Sequence, residues 1–479
     1  MRLAMISGDG LPVSGLLTTF RNVVELARDD GLLELPVPAD LGYSWRPDKP
    51  TFYPAGAGAH GYPDWLRVTS AVPVPDAPAG TPPGPDADDV AGEWLALRSA
   101  VADAHLLDAA ARADLRRRVA ALATPYERHF TAWFAEHDAD WVIAMNMTLS
   151  DATPVTLALH RAARRRWGGG RPGGVVFWDH DLFASYAVHE GAARVYPTGP
   201  NEFTPVPQDV PYHRWVVPTE ELAAECPAYP TRAKPLVVPL VLPTVRPATM
   251  ADPHREFLAQ RGVPPGVPVV LAPVRVFRVK GVEISVALLA AVRREAARRG
   301  EPPPHLLVFG TLDEDPEYAA EVLAALRQAP EGVHFLGGVP LSTHRDDAGR
   351  WHLDEVDLLR VAAATCGGVF YTPNRPDVES VGLGPALAAV AGVPFATTAY
   401  NALDGAYDGG LDHVHVADPS ALDAPAAEFV DQLAQLRAGS PQRRAALARN
   451  RETVARSFPP QPWRRLLAEL AGSVRVTPR

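Results

Sequence analysis

Residues 269–281, which read VVLAPVRVFRVKG, indicate the fold class of this chain most clearly. Their first six residues form an apolar run typical of a short buried strand, and residues 282–299 carry apolar side chains at helical spacing. A strand, a loop and a helix in this order form the repeating unit of an open α/β sheet, where ligands bind at the carboxyl ends of the strands. The sequence therefore predicts that Arg275 and Lys280 lie on a ligand-binding loop.

Lys280 stands out because the chain has only two other lysines, Lys49 and Lys234, and every other basic side chain is arginine. The compact ammonium of lysine, on its flexible stem, binds phosphate as a point charge, whereas the planar guanidinium of arginine binds it through a rigid fork of donors. A binding role for phosphate is one interpretation. The other is a solvated lysine that closes a turn before Gly281.

Strand-like and helix-like segments alternate in two series, which predicts two Rossmann-like domains with parallel sheets facing an interdomain cleft. Residues 1–243 are predicted as the first domain, with a Pro/Gly-rich excursion of little regular structure at about 47–89. Residues 244–458 are predicted as the second domain. Residues 459–479 are predicted as a helix that packs back on the first.

Composition narrows the class of function. The chain has 479 residues and a net charge of −10, which argues against nucleic acid as a partner. Two cysteines far apart, Cys226 and Cys366, argue against disulfides and a zinc site, and we expect no metal. No apolar run is long enough for a signal peptide or a membrane span. We therefore expect a cytoplasmic protein, and the Ala/Arg/Pro bias indicates a GC-rich bacterial gene.

A second motif, NRPDVESVGLGP at residues 374–385, follows the predicted strand 368–371 and opens a helix. Glycines let backbone amides approach a ligand closely, and the amides at a helix start attract an anion. Glu379 can then accept hydrogen bonds from hydroxyls of the group that carries the anion. The amides of this anion site belong to Ser380, Val381, Gly382, Leu383 and Gly384. The alternative is a turn that glycines merely shape.

Several motifs in the same order resemble retaining glycosyltransferases of the GT-B fold, family 4 (glycogen synthase-like) type. They are Arg275 with Lys280 before Gly281, Gly310 and Gly337 after strands, and the run from Glu379 through Gly382, Ala388 and Gly392. The resemblance covers the C-terminal domain well. It covers the N-terminal domain loosely, through Gly15 and His180.

The resemblance implies a role for each matching residue. Arg275 and Lys280 hold the diphosphate of a nucleotide-sugar donor, which is a co-substrate, and Glu379 binds hydroxyls of the donor sugar. His180 lies at the cleft near the reacting sugar, although a turn histidine held by Asp179 and Asp181 is the alternative. The remaining donor-binding positions are Gly15, Gly310 and the backbone from Ser380 to Gly384.

The implied activity is transfer of a hexosyl-type group to a small-molecule acceptor with retention at the anomeric carbon. Atypical features and a GC-rich gene suggest natural-product biosynthesis, such as that of an aminocyclitol. An irregular segment after His180 could line the acceptor side, with the polar residues His189, Glu190, Tyr196, Asn201 and Glu202. A homodimer is left open.

One departure from the family matters. Leu387 stands where the family usually has a second glutamate that binds the nucleotide ribose, and leucine accepts no hydrogen bond. An inactive protein that binds a sugar nucleotide therefore remains an alternative, as do coupling of a cyclitol donor and phosphorolysis of a glycoside. A dinucleotide-dependent oxidoreductase is disfavoured, because the first turn lacks a complete G-x-G-x-x-G.

Overall fold

The computed structural model describes residues 1–8, 15–41, 61–69, 87–182, 189–190, 193–194, 199–246, 249–328, 331–377, 379, 381–407 and 409–475. The described strands of the N-terminal domain are β1 Leu3–Ser7, β2 Val37–Leu41, β3 Leu66–Thr69, β4 Trp141–Met145, β5 Gly174–Trp178, β6 His189–Glu190, β7 Ala193–Arg194, β8 His213–Val217 and β9 Pro235–Val237. Its described helices are α1 Gly15–Asp29, α2 Ala87–Ala102, α3 Ala109–Glu136, α4 Thr153–Trp167 and α5 Glu220–Glu225.

Seven of these strands form one parallel sheet in the order β3-β2-β1-β4-β5-β8-β9. The central strands β1, β4 and β5 are buried along their whole length. Helices cover both faces of such a sheet, which is why these strands read as unbroken apolar runs.

The stretch at 47–89 holds more regular structure than the sequence predicts. Strand β3 pairs in parallel with β2, so that Val37 lies opposite Leu66, and α2 begins at Ala87. The composition hides these elements, because prolines and glycines surround a strand of four residues and Pro38 interrupts the apolar pattern of β2.

The C-terminal domain repeats the architecture. Its described strands are β10 Val269–Ala272, β11 His305–Val308, β12 Val333–Phe335, β13 His344–Arg345, β14 Trp351–His352, β15 Gly368–Tyr371, β16 Phe395–Thr398 and β17 Val414–Val416. Its helices are α6 Asp252–Gln260, α7 Val282–Arg299, α8 Pro316–Leu326, α9 Glu355–Ala364, α10 Leu383–Ala391, α11 Ala402–Tyr407, α12 Asp423–Arg437 and α13 Pro441–Ser457. The last helix of the chain, α14 Gln461–Arg475, follows α13.

Six strands form the second parallel sheet, in the order β12-β11-β10-β15-β16-β17. One face buries apolar side chains of α7 and α12, and the other buries those of α6, α9 and α10. Local signals set the helix ends: Asp354 accepts a hydrogen bond from the Asp357 amide before α9, and Gly300 takes a left-handed conformation after α7. The molecule therefore consists of two α/β domains with parallel sheets.

The two domains meet through polar and apolar contacts. The Arg21 guanidinium on α1 lies 3.2 Å from the Glu355 carboxylate on α9, and both side chains are almost fully buried. The Leu341 amide donates to the carbonyl of Gly61 at 2.8 Å. Val381, just before α10, belongs to the same apolar cluster as residues of α1. The start of α10 is thus adjacent to the N-terminal domain.

Helix α14 packs on the N-terminal domain although it follows the second domain in sequence. Trp463 is fully buried, and its ring lies 4.5 Å from that of Trp178 on β5. The indole Nε1 of Trp141 donates to the carbonyl of Leu470 at 3.1 Å. These aromatic contacts make the end of the chain part of the first domain's core.

None of the helices that the structure describes is both long and apolar enough to cross a lipid bilayer.

Candidate functional site

The two sequence motifs lie at the same edge of the second sheet. Strands β10 and β15 are neighbours, with Val270 paired to Gly368 and Leu271 to Val369. The loop after β10 leads to α7, and the loop after β15 leads to α10. Because carboxyl ends of parallel strands share one edge, both loops and both helix starts converge there.

Gly281 locks the first loop against the second. After a single 3₁₀ turn over Arg278–Lys280, Gly281 takes the left-handed region with φ +58°. A Cβ at this position would lie 1.9 Å from the carbonyl oxygen of Thr372. Glycine is therefore required here both by the backbone angle and by the close approach of the other loop.

Hydrogen bonds between the loops hold this contact in place. The Thr372 hydroxyl donates to the Gly281 carbonyl at 2.8 Å and lies 2.7 Å from the Ser285 hydroxyl on α7. The Asn374 amide donates to the carbonyl of Val279 at 3.3 Å. The loop that carries Lys280 therefore has a fixed position relative to the loop that carries Glu379.

Lys280 and Glu379, predicted separately from the sequence, form an ion pair. The Lys280 Nζ lies 2.6 Å from Oε1 of Glu379, and the side chains are 27% and 8% exposed. A charge-assisted hydrogen bond at this distance and burial is stronger than a surface ion pair. Both groups face one point between the two loops, where an ammonium and a carboxylate are available together.

Three buried tyrosines support the second loop from below. Tyr407 donates to the carbonyl of Gly382 at 2.5 Å, and Tyr400 reaches the same carbonyl at 3.4 Å. Burial first, and then the charge of Glu379, raises the pKa of Tyr371 well above its ordinary value. The phenol of Tyr371 therefore stays protonated and can donate to the Glu379 carboxylate.

The start of α10 presents backbone amides. Gly382 caps the helix with φ +73°, and having no side chain it offers no capping group to the amides of the first turn. The next glycine, Gly384, packs so closely on the Tyr371 ring that a Cβ would lie 2.3 Å from it. Leu383 is half-buried between them. An anion placed at this end would meet the positive end of the helix dipole.

Two further predicted residues belong to the same edge. Arg275 is half-buried in the loop after β10, and its guanidinium lies 4.5 Å from the centre of the Phe277 ring. The Gly310 amide, after β11, donates to the carbonyl of Val274 at 3.1 Å. The adjacent strands β10 and β11 thus bring Arg275 and Gly310 to neighbouring loops.

Asn146 holds the predicted histidine of the N-terminal domain. Its Oδ1 accepts from the backbone amides of His180 at 2.7 Å and Asp181 at 3.3 Å, and its Nδ2 donates to the Asp181 carboxylate at 3.2 Å. Asn146 does this with φ +51°, a conformation that asparagine tolerates better than most residues. The His180 ring lies 4.7 Å from that of Trp178.

The contacts of Asp179 indicate that it stabilises the core of the N-terminal domain. It is fully buried, and the indole of Trp215 donates to its Oδ2 at 2.8 Å. Burial raises the pKa of Asp179 to about 7. Within the described ranges, no group of three histidine, cysteine or acidic side chains is arranged to hold a metal ion.

Two predicted positions receive less support from the local structure. Gly15 is the first residue of α1, and a Cβ there would meet no atom within 4 Å among the described residues. Ser380 lies outside the described residues. The structure therefore brings Arg275, Lys280, Gly310, Glu379 and the 381–384 backbone to one sheet edge, whereas His180 and Gly15 lie on the other domain.

The residues that support the site could not be identified from the sequence. They are Asn146, Tyr371, Thr372, Tyr400 and Tyr407. The available signal was weak: a polar residue directly after a strand for Asn146 and Thr372, and nothing that distinguishes the tyrosines from ordinary core aromatics.

The buried position of residue 387 explains why it is a leucine and not a glutamate. It is 4% exposed and packs in the core between α10, α9 and the sheet. A carboxylate in this environment would be costly to bury. The C-terminal domain therefore lacks the second acidic side chain at that position of α10.

Comparison with known structures identifies the fold. No protein-family model matches the chain, and no curated protein matches it in sequence. Sucrose-phosphate synthase from Thermosynechococcus elongatus superposes with a TM-score of 0.54 at 14% identity, covering 99% of both chains. The trehalose-6-phosphate synthase OtsA gives 0.55 at 11% identity and covers both chains completely.

A third similar structure was solved with ligands. Anabaena HepE in complex with UDP and glucose gives a TM-score of 0.52 at 14% identity, covering 99% of this chain and 100% of that one. Similarity at this level of identity shows the fold alone. The chain has the GT-B fold, with two Rossmann-like domains.

Proposed function

We propose that the protein is a glycosyltransferase that moves a sugar from a nucleotide-sugar donor to a small-molecule acceptor, with retention at the anomeric carbon. The observation that carries the proposal is the 2.6 Å contact between Lys280 and Glu379, at the edge where α10 begins. A cation, a helix start and a carboxylate at one point match a diphosphate linked to a sugar. The HepE structure with UDP and glucose supports the donor class.

The proposed donor exchanges partners with the ion pair. A donor phosphate takes the Lys280 ammonium, and a sugar hydroxyl donates to the Glu379 carboxylate in its place. Each group therefore has a hydrogen-bonding partner before and after binding, which lowers the cost of desolvating either group. Tyr371 donates to Glu379 and keeps the carboxylate in position during the exchange.

Electrostatic stabilisation of the leaving group supplies the main catalytic effect in this proposal. When the bond from the anomeric carbon to the diphosphate oxygen breaks, both electrons of that bond go to the oxygen. Lys280, Arg275 and the amides at the start of α10 stabilise this charge. The acceptor hydroxyl attacks from the same face and passes its proton to the leaving phosphate, which retains the anomeric configuration.

The N-terminal domain supplies the acceptor side. His180 and Gly15 are proposed to face the donor when the domains close and water is excluded. The amino-acid composition of the chain suggests a natural-product acceptor, such as an aminocyclitol. Including such compounds in the acceptor panel of a transfer assay tests this finer proposal. We also propose a location in the cytoplasm.

A panel of sugar nucleotides tests the donor class. A ligand that binds the native state raises the midpoint of thermal unfolding by mass action, so the correct donor and its nucleoside diphosphate should raise it together. Incubation with acceptors should then release the nucleoside diphosphate. No shift with any sugar nucleotide or nucleoside diphosphate at millimolar concentration contradicts the proposal.

Glu379→Gln tests the sugar-binding role. We expect weaker discrimination between donor sugars, whereas Asp377→Asn, which changes an exposed carboxylate of the same loop, should leave discrimination unchanged. Equal selectivity of Glu379→Gln and the unmutated protein rejects the assignment.

A second candidate function is favoured by Leu387, because α10 offers no carboxylate to a ribose there. In that case the protein binds a sugar nucleotide without consuming it. Calorimetry together with product analysis separates the two functions: saturable binding with an intact donor after prolonged incubation with the acceptor panel identifies a binding protein.

A further inference from the structure

A cavity of about 630 Å³ lies in the N-terminal domain, away from the candidate donor site. It is formed by α3, α4 and the segments 202–209 and 230–232. None of the predicted donor-site residues lines it. Its volume falls within the range of about 300–1,000 Å³ that small-molecule sites usually occupy.

One part of the wall is apolar. Val119 on α3, Leu157 on α4 and the buried ring of Phe203 face the cavity. Apolar surface of this kind binds a hydrocarbon or aromatic group, because the contact removes apolar area of both the wall and the ligand from water.

The other part of the wall is charged, with an excess of cations. Three arginines, Arg116, Arg161 and Arg232, line the cavity together with the two carboxylates of Glu202 and Asp209. Arg116 lies 2.9 Å from Glu202.

The other two arginines differ in whether a carboxylate pairs with them. Arg161 pairs with Glu127 at 3.3 Å, outside the cavity wall. Arg232 forms no ion pair with any residue in the described part of the chain. The wall therefore carries one positive charge more than negative and favours an anion.

His160 adds an unsatisfied polar group. It lines the cavity from α4, is 8% exposed, and its Nε2 has no hydrogen-bond partner among the described residues. The ring of His213 lies 5.2 Å away, and its Nε2 is also unpartnered within the described chain. Burial lowers the pKa of His160 to about 3, so the ring is neutral. A buried polar atom without a partner destabilises the folded state.

We propose that this cavity binds a small amphiphilic anion, with its apolar body against Leu157 and Phe203 and its anionic group at Arg161 and Arg232. The site is separate from the donor site, so the two ligands bind without competing, and the inference does not depend on the proposed function.

The probe is 8-anilinonaphthalene-1-sulfonate, an aromatic anion whose fluorescence rises in apolar sites. Titration of the full chain should give one saturable site and a higher midpoint of thermal unfolding. Octanoate and octyl phosphate should displace the probe, and whichever does so at lower concentration identifies the preferred headgroup. Octanol, which lacks the charge, should compete at least about tenfold more weakly, since one charge-assisted contact is worth about 1.4 kcal/mol or more.

Two cavity variants and two controls locate the site. The double variant Arg161→Ala and Arg232→Ala should weaken probe binding about tenfold, and Leu157→Trp should abolish it by filling the cavity. Arg165→Ala removes an arginine of the same helix that also pairs with Glu127 but does not line the cavity, and should bind normally. Lys280→Ala should bind normally as well.

Three outcomes overturn the proposal: no saturable binding, unchanged affinity in the double arginine variant, or displacement by octanol as effective as by octanoate. If Leu157→Trp fails to fold by circular dichroism, the double arginine variant, which changes only exposed or half-buried side chains, decides the question.

Discussion

Replacing Lys280 by alanine tests the candidate site most directly. Glu379 is only 8% exposed and its Oε1 lies 2.6 Å from the ammonium, so water cannot replace the lost partner fully. The carboxylate keeps its hydrogen bond from Tyr371 but loses its cation, and loss of a buried hydrogen-bond partner costs about 1–3 kcal/mol of stability. Loss of one key electrostatic group in the transition state costs about 2–4 kcal/mol. We expect both effects in one variant, with transfer slowed roughly 30- to 900-fold at 1.36 kcal/mol per tenfold.

The assay separates the two effects. Release of the nucleoside diphosphate measures transfer, and unfolding in denaturant measures stability. Lys234→Ala is the matched control, because it removes an exposed lysine from the other domain and should change neither quantity. Adding Glu379→Gln to Lys280→Ala should restore much of the lost stability, since a neutral amide needs no cation, but it should not restore transfer.

The reasoning is refuted if Lys280→Ala transfers sugar within about threefold of the unmutated rate while remaining folded, well short of the loss expected for an electrostatic group. It is also refuted if the double variant is as unstable as the sum of the two single variants, because the residues would then act independently.

Three further predictions concern the scaffold. Gly281→Ala should be clearly less stable than Gly300→Ala in denaturant unfolding. Both glycines have positive φ, but only at Gly281 would the added Cβ lie 1.9 Å from a carbonyl oxygen. Equal losses of stability would reject this close approach. Arg21→Ala should cost about 3–5 kcal/mol by leaving Glu355 buried without its partner. The control for this prediction is Arg278→Ala, which breaks an exposed pair with Glu321 and should cause no measurable change in the same unfolding assay. The raised pKa of Asp179, about 7, contributes stability that is complete below its ordinary pKa near 4 and is lost as pH rises through 7. The midpoint of unfolding should therefore fall less between pH 6 and pH 8 in Asp179→Asn than in the unmutated protein, and equal falls would exclude Asp179 as the cause.

The sequence predicted the two-domain α/β fold because its central strands, such as Trp141–Met145 and Gly174–Trp178, are unbroken apolar runs between helical patterns. It did not predict β2, where Pro38 interrupts the pattern, or the four-residue β3. Short edge strands carry few residues, so periodicity cannot identify them.

The candidate site, like the fold, could be predicted from the sequence only in part. Lys280 and Glu379 could be assigned to one sheet edge because each follows a predicted parallel strand, and their roles in transfer remain predictions. Tyr371 ends strand β15, Tyr400 lies in the loop after β16, and Tyr407 ends helix α11. Only the folded chain brings Tyr400 and Tyr407 to the Gly382 carbonyl and Tyr371 to Glu379 and Gly384. Contacts of that kind depend on packing angles, which no local pattern encodes.

The position of α14 affects the order in which the protein can form during synthesis. Trp463 packs beside Trp178, and the Leu470 carbonyl accepts the hydrogen bond of Trp141. In the sequence Trp178 precedes Trp463 by 285 residues and Trp141 precedes Leu470 by 329, so both partners of α14 emerge from the ribosome long before it does. The first domain to be translated therefore completes its core only after α14 has been made, and until then its nascent form exposes aromatic surface to chaperones. Expressing residues 1–243 alone should yield an aggregating fragment unless α14 is supplied as a peptide or fused ahead of β1.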